Sequence, residues 1–400
     1  MPNLPEITLK KDEDKRILSG HPWIYDNEIE KFPDNFQNGG IILVKNSPGR
    51  YVGLGYLNKK SKIAVRLIEI FPNNRDKDME INLDEILRQK ITIALKKRGH
   101  IKNTNAKRLV FSEADSLPGL TVDLYANILV LQITTLGMEK LKEKIIPLLD
   151  ELVKPEFIYE KSISPVREKE GLEKEERLIK PENGKIKPII INENKIRFIV
   201  DIAGGSKTGF YLDQRENREK LKEYVKGRKV LDVFCYTGGF SVYALRYGAQ
   251  GTTGIDISEE AVEKAKENME LNNFKNYSFV TADAFDKLRE LDNAGEKFGV
   301  IILDPPAFSK SKDEKEGAIK GYKDLHLSAF RILEKGGVLL TFSCSQNISK
   351  EDLLKIARDA AKDTRTQYEV DGFLSQSSDH PYTKNIPETL YLKGIIIKKR

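Results

Sequence analysis

Apolar positions are spaced differently along the two halves of the chain, and the spacing predicts where strands and helices fall. In the first 72 residues the apolar stretches are short. Ile41–Val44, Tyr51–Tyr56 and Ile63–Ile70 are separated by Asn-Ser-Pro-Gly and Asn-Lys-Lys-Ser turns, which predicts a small barrel-like β domain. After the polar run Asn73–Glu80, residues Leu83, Ile86, Leu87, Ile91 and Ala94 recur at helical spacing. They end in Lys96-Lys97-Arg98-Gly99, cations and a glycine that suit a helix C-terminus. Arg108–Phe111, Leu120–Tyr125 and Ile128–Thr134 read as strands, Met138–Leu152 as a second helix, and a further strand is expected near Phe157. Ser164–Lys187 is charged and almost without large apolar residues, the composition of a mobile linker. Ile189–Val200 reads as a hairpin with Glu193-Asn194 at its centre.

From Lys229 onward short apolar runs alternate with helical patterns. Strands are expected at Val230–Phe234, in the run ending at Asp256, and at Tyr277–Thr281, Val300–Leu303 and Val338–Phe342. Helices are expected from Ser241, over Glu259–Asn272 and from Phe285. Alternation of this kind predicts an α/β fold, a Rossmann-like, doubly wound and mainly parallel sheet with its ligands at the carboxyl ends of the strands. The chain of 400 residues is too long for one core. The pattern divides it into residues 1–72, a central α+β domain over 73–188, and residues 189–400.

The first strand of the α/β part runs into Asp232-Val-Phe-Cys-Tyr-Thr-Gly-Gly-Phe. Gly238 and Gly239 let backbone approach a ligand, and Asp256, at the end of the next strand, is placed to accept hydrogen bonds from a ribose diol. The turn is not Gly-x-Gly-x-x-Gly, and Asp232 would repel a pyrophosphate. A cofactor with a positive centre, S-adenosylmethionine, suits it better. Asp232, Asp256, Asp283 and Asp304 each end or just follow a strand, so four carboxylates are expected on one rim. In a methyltransferase Asp256 would hold the ribose and Asp283 the adenine amino group. Asp304-Pro305-Pro306 would form the floor where substrate and methyl donor meet. The absence of a nearby His or of Asp-x-Asp spacing argues against a metal. The segment Lys207–Arg215, with Phe210, Tyr211, Gln214 and Arg215, is polar and aromatic and can close over a bound cofactor. Cys344 follows the late strand on the same rim, where a thiolate can attack an electron-poor ring carbon. Cys235, in the cofactor turn, reads as a buried apolar cysteine.

Composition narrows the setting. Two cysteines, no basic-then-apolar leader and no apolar run of membrane-spanning length point to the cytoplasm and exclude a disulfide framework. The net charge of +6 is modest. Lys10, Lys11, Lys15, Arg16, Lys59, Lys60, Lys62 and Arg66 nevertheless cluster among Trp23, Tyr25, Tyr51 and Tyr56, a mixture suited to phosphate contacts and base stacking. Glu113, Asp115 and Asp123 read as structural.

The Gly-His-Pro-Trp start within Ser19–Tyr25, Phe210–Arg215, Asp232–Phe240, Asp304–Lys312 and Ser343-Cys344-Ser345 together resemble the PUA-containing class I 23S ribosomal RNA cytosine-C5 methyltransferases, over nearly the whole chain. The resemblance implies an N-terminal PUA-like RNA-binding barrel, a central α+β domain and an S-adenosylmethionine-dependent catalytic domain. It also implies 23S ribosomal RNA as partner, Cys344 as nucleophile, Asp304 in proton handling, and allows a homodimer. A sister family methylating guanine N7 shares the Asp-Pro-Pro segment, and Cys344 separates the two. A non-catalytic RNA-binding platform is one further alternative, against which stand the intact Asp232, Asp256, Asp304 and Cys344; a small-molecule methyltransferase is another, which leaves the basic β domain without a task.

Overall fold

The computed structural model describes residues 4–75, 81–182, 184–205, 207–308 and 314–400. The chain divides into two compact units. The first takes in 1–189, 200–210 and 379–389, and the second 190–199, 211–378 and 390–400.

In the first unit a six-stranded sheet runs in the order Trp23–Ile24, Val65–Arg75, Tyr51–Leu57, Ile41–Lys45, Glu6–Leu9, Ile29–Lys31. The expected division at 72/73 falls within the strand Val65–Arg75, and 76–80 of the polar run lie outside the described residues. Tyr56 is fully buried and shares a core with Leu87, Ile91, Leu120 and Met138 of the following segment. Its hydroxyl donates to the Pro118 carbonyl at 2.8 Å. The second sheet orders its strands Glu175–Lys180, Phe157–Ser162, Ile128–Ile133, Leu120–Tyr125, Ala106–Phe111. The helix Leu83–Lys97 forms as its spacing predicts, with Asn82 accepting from the Glu85 amide as N-cap and Leu87, Ile91 and Ala94 inward. The expected helix Met138–Leu152 is instead two, Leu136–Lys140 and Lys142–Val153. Lys142, at the join, turns its ammonium onto Glu139, Glu160 and Glu175. Among the described residues these carboxylates form the one group placed to share a cation, and Lys142 is that cation.

Ser164–Lys187 is not a linker. It contains the helix Val166–Glu170 and the strand Glu175–Lys180, which pairs antiparallel with Phe157–Ser162. Two of its charges, Arg167 and Glu170, are buried and anchor it, which is why a search for apolar residues misses it. Arg167 donates to Glu139 and to the Ile133 carbonyl, both at 2.8 Å. Glu170 meets Arg66 at 2.9 Å and accepts from the Asn58 amide.

Numbered within the second unit, the strands are β1 (Lys229–Val233), β2 (Gly251–Asp256), β3 (Tyr277–Thr281), β4 (Phe298–Leu303), β5 (Leu333–Ser343), β6 (Tyr368–Ser375) and β7 (Lys393–Lys399). The helices are α1 (Gly239–Arg246), α2 (Glu259–Leu271), α3 (Ala284–Asn293), α4 (Lys315–Ile332) and α5 (Lys350–Asp363). The sheet order is β3-β2-β1-β4-β5-β7-β6. Strands β1 to β5 are mutually parallel, and β7 inserts antiparallel between β5 and β6. All six residues of β4 are buried, as a continuous apolar run in a parallel strand covered on both faces requires. Leu288, Tyr322, Leu325, Phe330, Leu353 and Ile356 of α3 to α5 pack with Leu231, Ile301, Leu303 and Leu339. Phe240 of α1 meets Phe342 at 5.6 Å.

The hairpin preceding this sheet pairs Ile189–Glu193 with Ile196–Val200. Its turn residues are Asn194 and Lys195, with φ of 52° and 66°, the left-handed pair of a tight hairpin turn. The turn therefore sits one residue later than Glu193-Asn194. Glu193 stays in the strand and accepts from Arg218 at 2.7–2.9 Å and from the Tyr243 hydroxyl at 2.9 Å. Arg218 also donates to the Tyr211 carbonyl at 2.9 Å. The two side chains are 0% and 2% exposed. Removing one partner strands the other charge in the interior, a change that costs roughly 3–5 kcal/mol. Arg218→Leu is therefore expected to lower the unfolding free energy by about that amount in urea titrations. An unchanged midpoint would show that the pair does not hold the hairpin.

Candidate active site at the carboxyl edge of the sheet

Parallel pairing sets the site residues side by side. Asp256 ends β2, the turn Phe234–Gly238 follows β1, Asp304 follows β4 and Cys344 follows β5. With neighbouring strands about 4.8 Å apart, Asp304 and Cys344 lie one strand apart and Asp256 lies about 15 Å from Cys344 across three. That span suits an adenosine at one end and an acceptor base at the other.

The turn after β1 has three left-handed residues, Phe234, Tyr236 and Gly238, with φ of 64°, 47° and 75°. Two of them are aromatic, and such a backbone persists only where its surroundings fix it. The Tyr236 amide donates to Asp256 Oδ2 at 2.8 Å, the Cys235 amide to the Ile255 carbonyl at 3.0 Å, and Asn268 to the Thr237 carbonyl at 2.9 Å. A Cβ on Gly238 would lie 3.0 Å from the Ala265 Cβ and 3.2 Å from the Phe279 ring, so the α2 and β3 side chains press the turn from behind. Asp256 Oδ1 accepts from the Ser258 amide at 3.0 Å. Each oxygen keeps a lone pair for a further donor. Ile257 beside it is 74% exposed, an apolar face next to a polar acceptor. An adenosine presents the matching pair, a flat ring and a diol, so these residues fit the expected cofactor.

Asp232 is buried beneath the turn. Its Oδ2 accepts from the Ser241 amide at 3.0 Å and hydroxyl at 2.7 Å. Burial pushes its carboxyl up to about 6 against the pull of the Ser241 bonds, and the Asp256 charge adds to the rise. Asp283 is exposed and caps α3, its Oδ1 accepting from the Phe285 and Asp286 amides at 2.9 and 3.1 Å.

Asp304 Oδ2 accepts from Gln214 Nε2 at 2.9 Å. Gln214 is oriented in turn. Its Oε1 accepts from Asn217 Nδ2 at 2.6 Å, and the same Nδ2 reaches the Ser375 carbonyl at 2.9 Å. Sequence reasoning placed Gln214 among the cofactor contacts and missed Asn217; their three-residue spacing on one turn of helix was the available signal. Tyr211 sits edge-on to Tyr236 with ring centres 5.2 Å apart. Arg215 is buried, 3.9 Å from Glu216. Phe210 belongs to the first unit, where its amide and carbonyl meet the Tyr125 hydroxyl.

Of the two cysteines, Cys235 is buried and Cys344 half-buried. Burial pushes the Cys235 thiol well up. The Tyr322 hydroxyl on α4 is fully buried and feels the charges of Cys344 and Asp304. Phe308, after Asp304-Pro305-Pro306, packs on Tyr322 at 5.0 Å between ring centres. Ser309–Lys312 of that motif lie outside the described residues.

In the N-terminal basic cluster Lys10, Lys11, Lys15, Lys59, Lys60 and Lys62 are exposed. Three expected contact residues leave the set. Arg66 is buried against Glu170, and Tyr51 and Tyr56 are interior. Trp23 donates to Glu113 at 3.0 Å, while Asp115 and Asp123 pair with Arg98 and Arg108.

Residues 7–69 match a PUA-like domain and 180–371 an S-adenosylmethionine-dependent methyltransferase domain. The chain is 40% identical over 98% of its length to 99% of a ribosomal RNA large subunit methyltransferase I from Aeromonas salmonicida. It is 39% identical to the protein of the same name from Tolumonas auensis, over 98% of each chain. A solved protein described provisionally as a methyltransferase, crystallised with SAH, superposes with a TM-score of 0.83 at 22% identity, covering 98% of this chain and 99% of its own. That likeness concerns the fold. The cofactor is S-adenosylmethionine.

The raised Asp232 carboxyl makes a stability prediction. A carboxyl whose folded value stands above its unfolded one stabilises the fold below about pH 4, and that contribution is lost as pH rises through about 6. At pH 8 the ionised group costs roughly 2–3 kcal/mol. Asp232→Asn keeps an acceptor for Ser241 and is expected to be more stable than wild type at pH 8 but not at pH 4, without cofactor, by urea unfolding. Equal stability at pH 8 would overturn this account of Asp232.

Proposed function

The chain belongs to the ribosomal RNA large subunit methyltransferase I family. From that premise we propose that it transfers a methyl group from S-adenosylmethionine to C5 of a cytosine in large-subunit (23S) ribosomal RNA, through a covalent bond from Cys344 to C6. The observation that carries the reading is the half-exposed Cys344 one strand from Asp304 and on the same edge as the Asp256 turn.

In this reading Asp256 accepts from the ribose, Ile257 lies against the adenine and Asp283 takes the adenine amino group. Asp232 supplies negative charge beneath the amino-acid end, Gly238 shapes the turn, and Tyr211, Gln214 and Arg215 close the site. Phe210 contributes through the backbone that leads into them. Bound there, S-adenosylmethionine supplies an electrophilic methyl on a positive sulfur. The Cys344 thiolate gives its electron pair to C6, and the C5–C6 π pair moves to C5, which becomes nucleophilic enough to take the methyl. Asp304, steered by Gln214, receives the C5 proton. The pair from that C–H bond restores the double bond and expels the Cys344 sulfur. Residues 1–72 bind RNA through their exposed lysines, 73–188 support them, and 189–400 carry the chemistry.

RNA containing 5-fluorocytosine is expected to trap a covalent complex, because fluorine does not leave as the proton does. Cys344→Ser should abolish trapping and turnover, since a hydroxyl is far less ionised at neutral pH. Cys235→Ser should still trap. Wild-type turnover in Cys344→Ser would sink the covalent route and favour a guanine acceptor. Replacing Lys10, Lys11, Lys59, Lys60 and Lys62 by Gln should flatten the salt dependence of RNA binding by roughly 0.7–0.9 for each phosphate no longer neutralised, with S-adenosylmethionine affinity unchanged. An unaltered slope would make these lysines a solvated surface.

A further inference from the structure

Lys393 opens β7 opposite Ser343, the last residue of β5, with Ser375 of β6 on its other side. Its ammonium reaches past the strand end and donates to the Ser345 carbonyl at 2.6 Å, which holds it over the segment carrying Cys344. The side chain is half-buried. Among the described residues this is its one hydrogen bond, and no carboxylate lies within ion-pair distance of it. The carboxylate whose charge it feels, Asp352 on α5, is already engaged. One of its oxygens takes Lys315 at 2.8 Å and closes the capping box with Ser349. A cation drawn out of water and given only a carbonyl lacks a counter-charge, and an anion formed beside it is stabilised accordingly.

We propose that Lys393 is a positioning residue for Cys344, its ammonium serving as the counter-ion that holds the sulfur as thiolate. This rests on the reading of Cys344 as nucleophile. The proton lost by the thiol goes to solvent before the base arrives. No further group is consumed, because the ammonium stays protonated throughout. Burial lowers the proton affinity of Lys393 first, and the charges of Cys344 and Asp352 oppose it, so the sulfur is one of the two negative charges the ammonium feels. Neighbouring groups among the described residues work the opposite way or are silent. Asp304 after β4 is negative and would disfavour a thiolate. The Tyr322 hydroxyl on α4 is neutral, because burial raises it well out of the physiological range. Lys315, at the start of α4, is paired with Asp352 of α5, and β6 presents Ser375. Lys393, held beside the Cys344 segment by the Ser345 carbonyl, is a cation opposite in sign to Asp304.

The experiment measures iodoacetamide alkylation of Cys344 against pH, followed by peptide mass spectrometry on the full chain, in wild type, Lys393→Gln and Lys393→Arg. Gln keeps a donor for the Ser345 carbonyl and drops only the charge. Lys393→Gln is expected to move the alkylation midpoint to higher pH, slowing alkylation near neutrality roughly tenfold for each unit of movement. Lys393→Arg should restore the wild-type midpoint. A Lys393→Gln midpoint equal to wild type overturns the proposal, as do equal shifts in Gln and Arg, which would reflect packing. An unmoved midpoint accompanied by weaker RNA binding assigns the ammonium to a backbone phosphate and also overturns it. The 5-fluorocytosine trap separates the two readings. A trap in wild type with an unmoved midpoint keeps the cytosine chemistry and rejects the pair, whereas a moved midpoint with no trap keeps the pair and rejects the cytosine.

Discussion

The reversal of strand order at β1 is the constraint on which the rest of this site depends. Strands β2 and β3 are laid down on one side of β1, and β4 and β5 on the other. Right-handed crossovers therefore carry the connecting helices to opposite faces and leave a crevice above β1 that no helix fills. The proposed site residues stand around that crevice. Asp256 and Ile257 come from one side, Asp304 and Cys344 from the other, and the strained turn Phe234–Gly238 forms its base. In the proposed function, the order of the strands thus decides which end takes the nucleoside and which takes the acceptor.

Around that crevice charge is used sparingly and out of water. Glu193 and Arg218 form a buried pair that fixes the Tyr211 carbonyl, and Tyr211 leans on Tyr236, whose amide is held by Asp256. A hairpin distant in sequence from the turn therefore helps to set its geometry. Asn217 and Gln214 do the same for Asp304 through neutral amides. In this arrangement the amide acceptor is occupied, so only its NH2 group is left to face the carboxylate.

Much of this was legible in the chain. The strand and helix alternation from Lys229, the carboxylates at strand ends and the difference between Cys235 and Cys344 all follow from short-range patterns, because parallel strands buried on both faces read as apolar runs. What escaped depends on long-range pairing. Ser164–Lys187 looked like a linker because its anchors, Arg167 and Glu170, are charged, and only their distant partners Glu139 and Arg66 make them interior. Arg66, Tyr51 and Tyr56 looked like contact residues for RNA for the mirror-image reason. Ile257 could have been read, as an isoleucine directly after the proposed ribose acceptor. Lys393 carried no local signal at all, because it lies far along the chain from the cysteine it adjoins.

The insertion of β7 between β5 and β6 has a consequence for how the molecule is made. β6 is synthesised before β7, yet its sheet neighbour is β7. Until Lys393–Lys399 emerges, β5 offers an open ladder of unpaired amides and carbonyls and β6 has nowhere to dock. An exposed apolar edge of this kind is a template for pairing between chains. The growing polypeptide therefore carries an unpaired β5 edge during the interval between the sixth and seventh strands, and the same late strand that pairs it also delivers Lys393, which donates to the Ser345 carbonyl next to Cys344. On this side of the sheet one strand thus closes the edge and supplies the cation of the proposed pair.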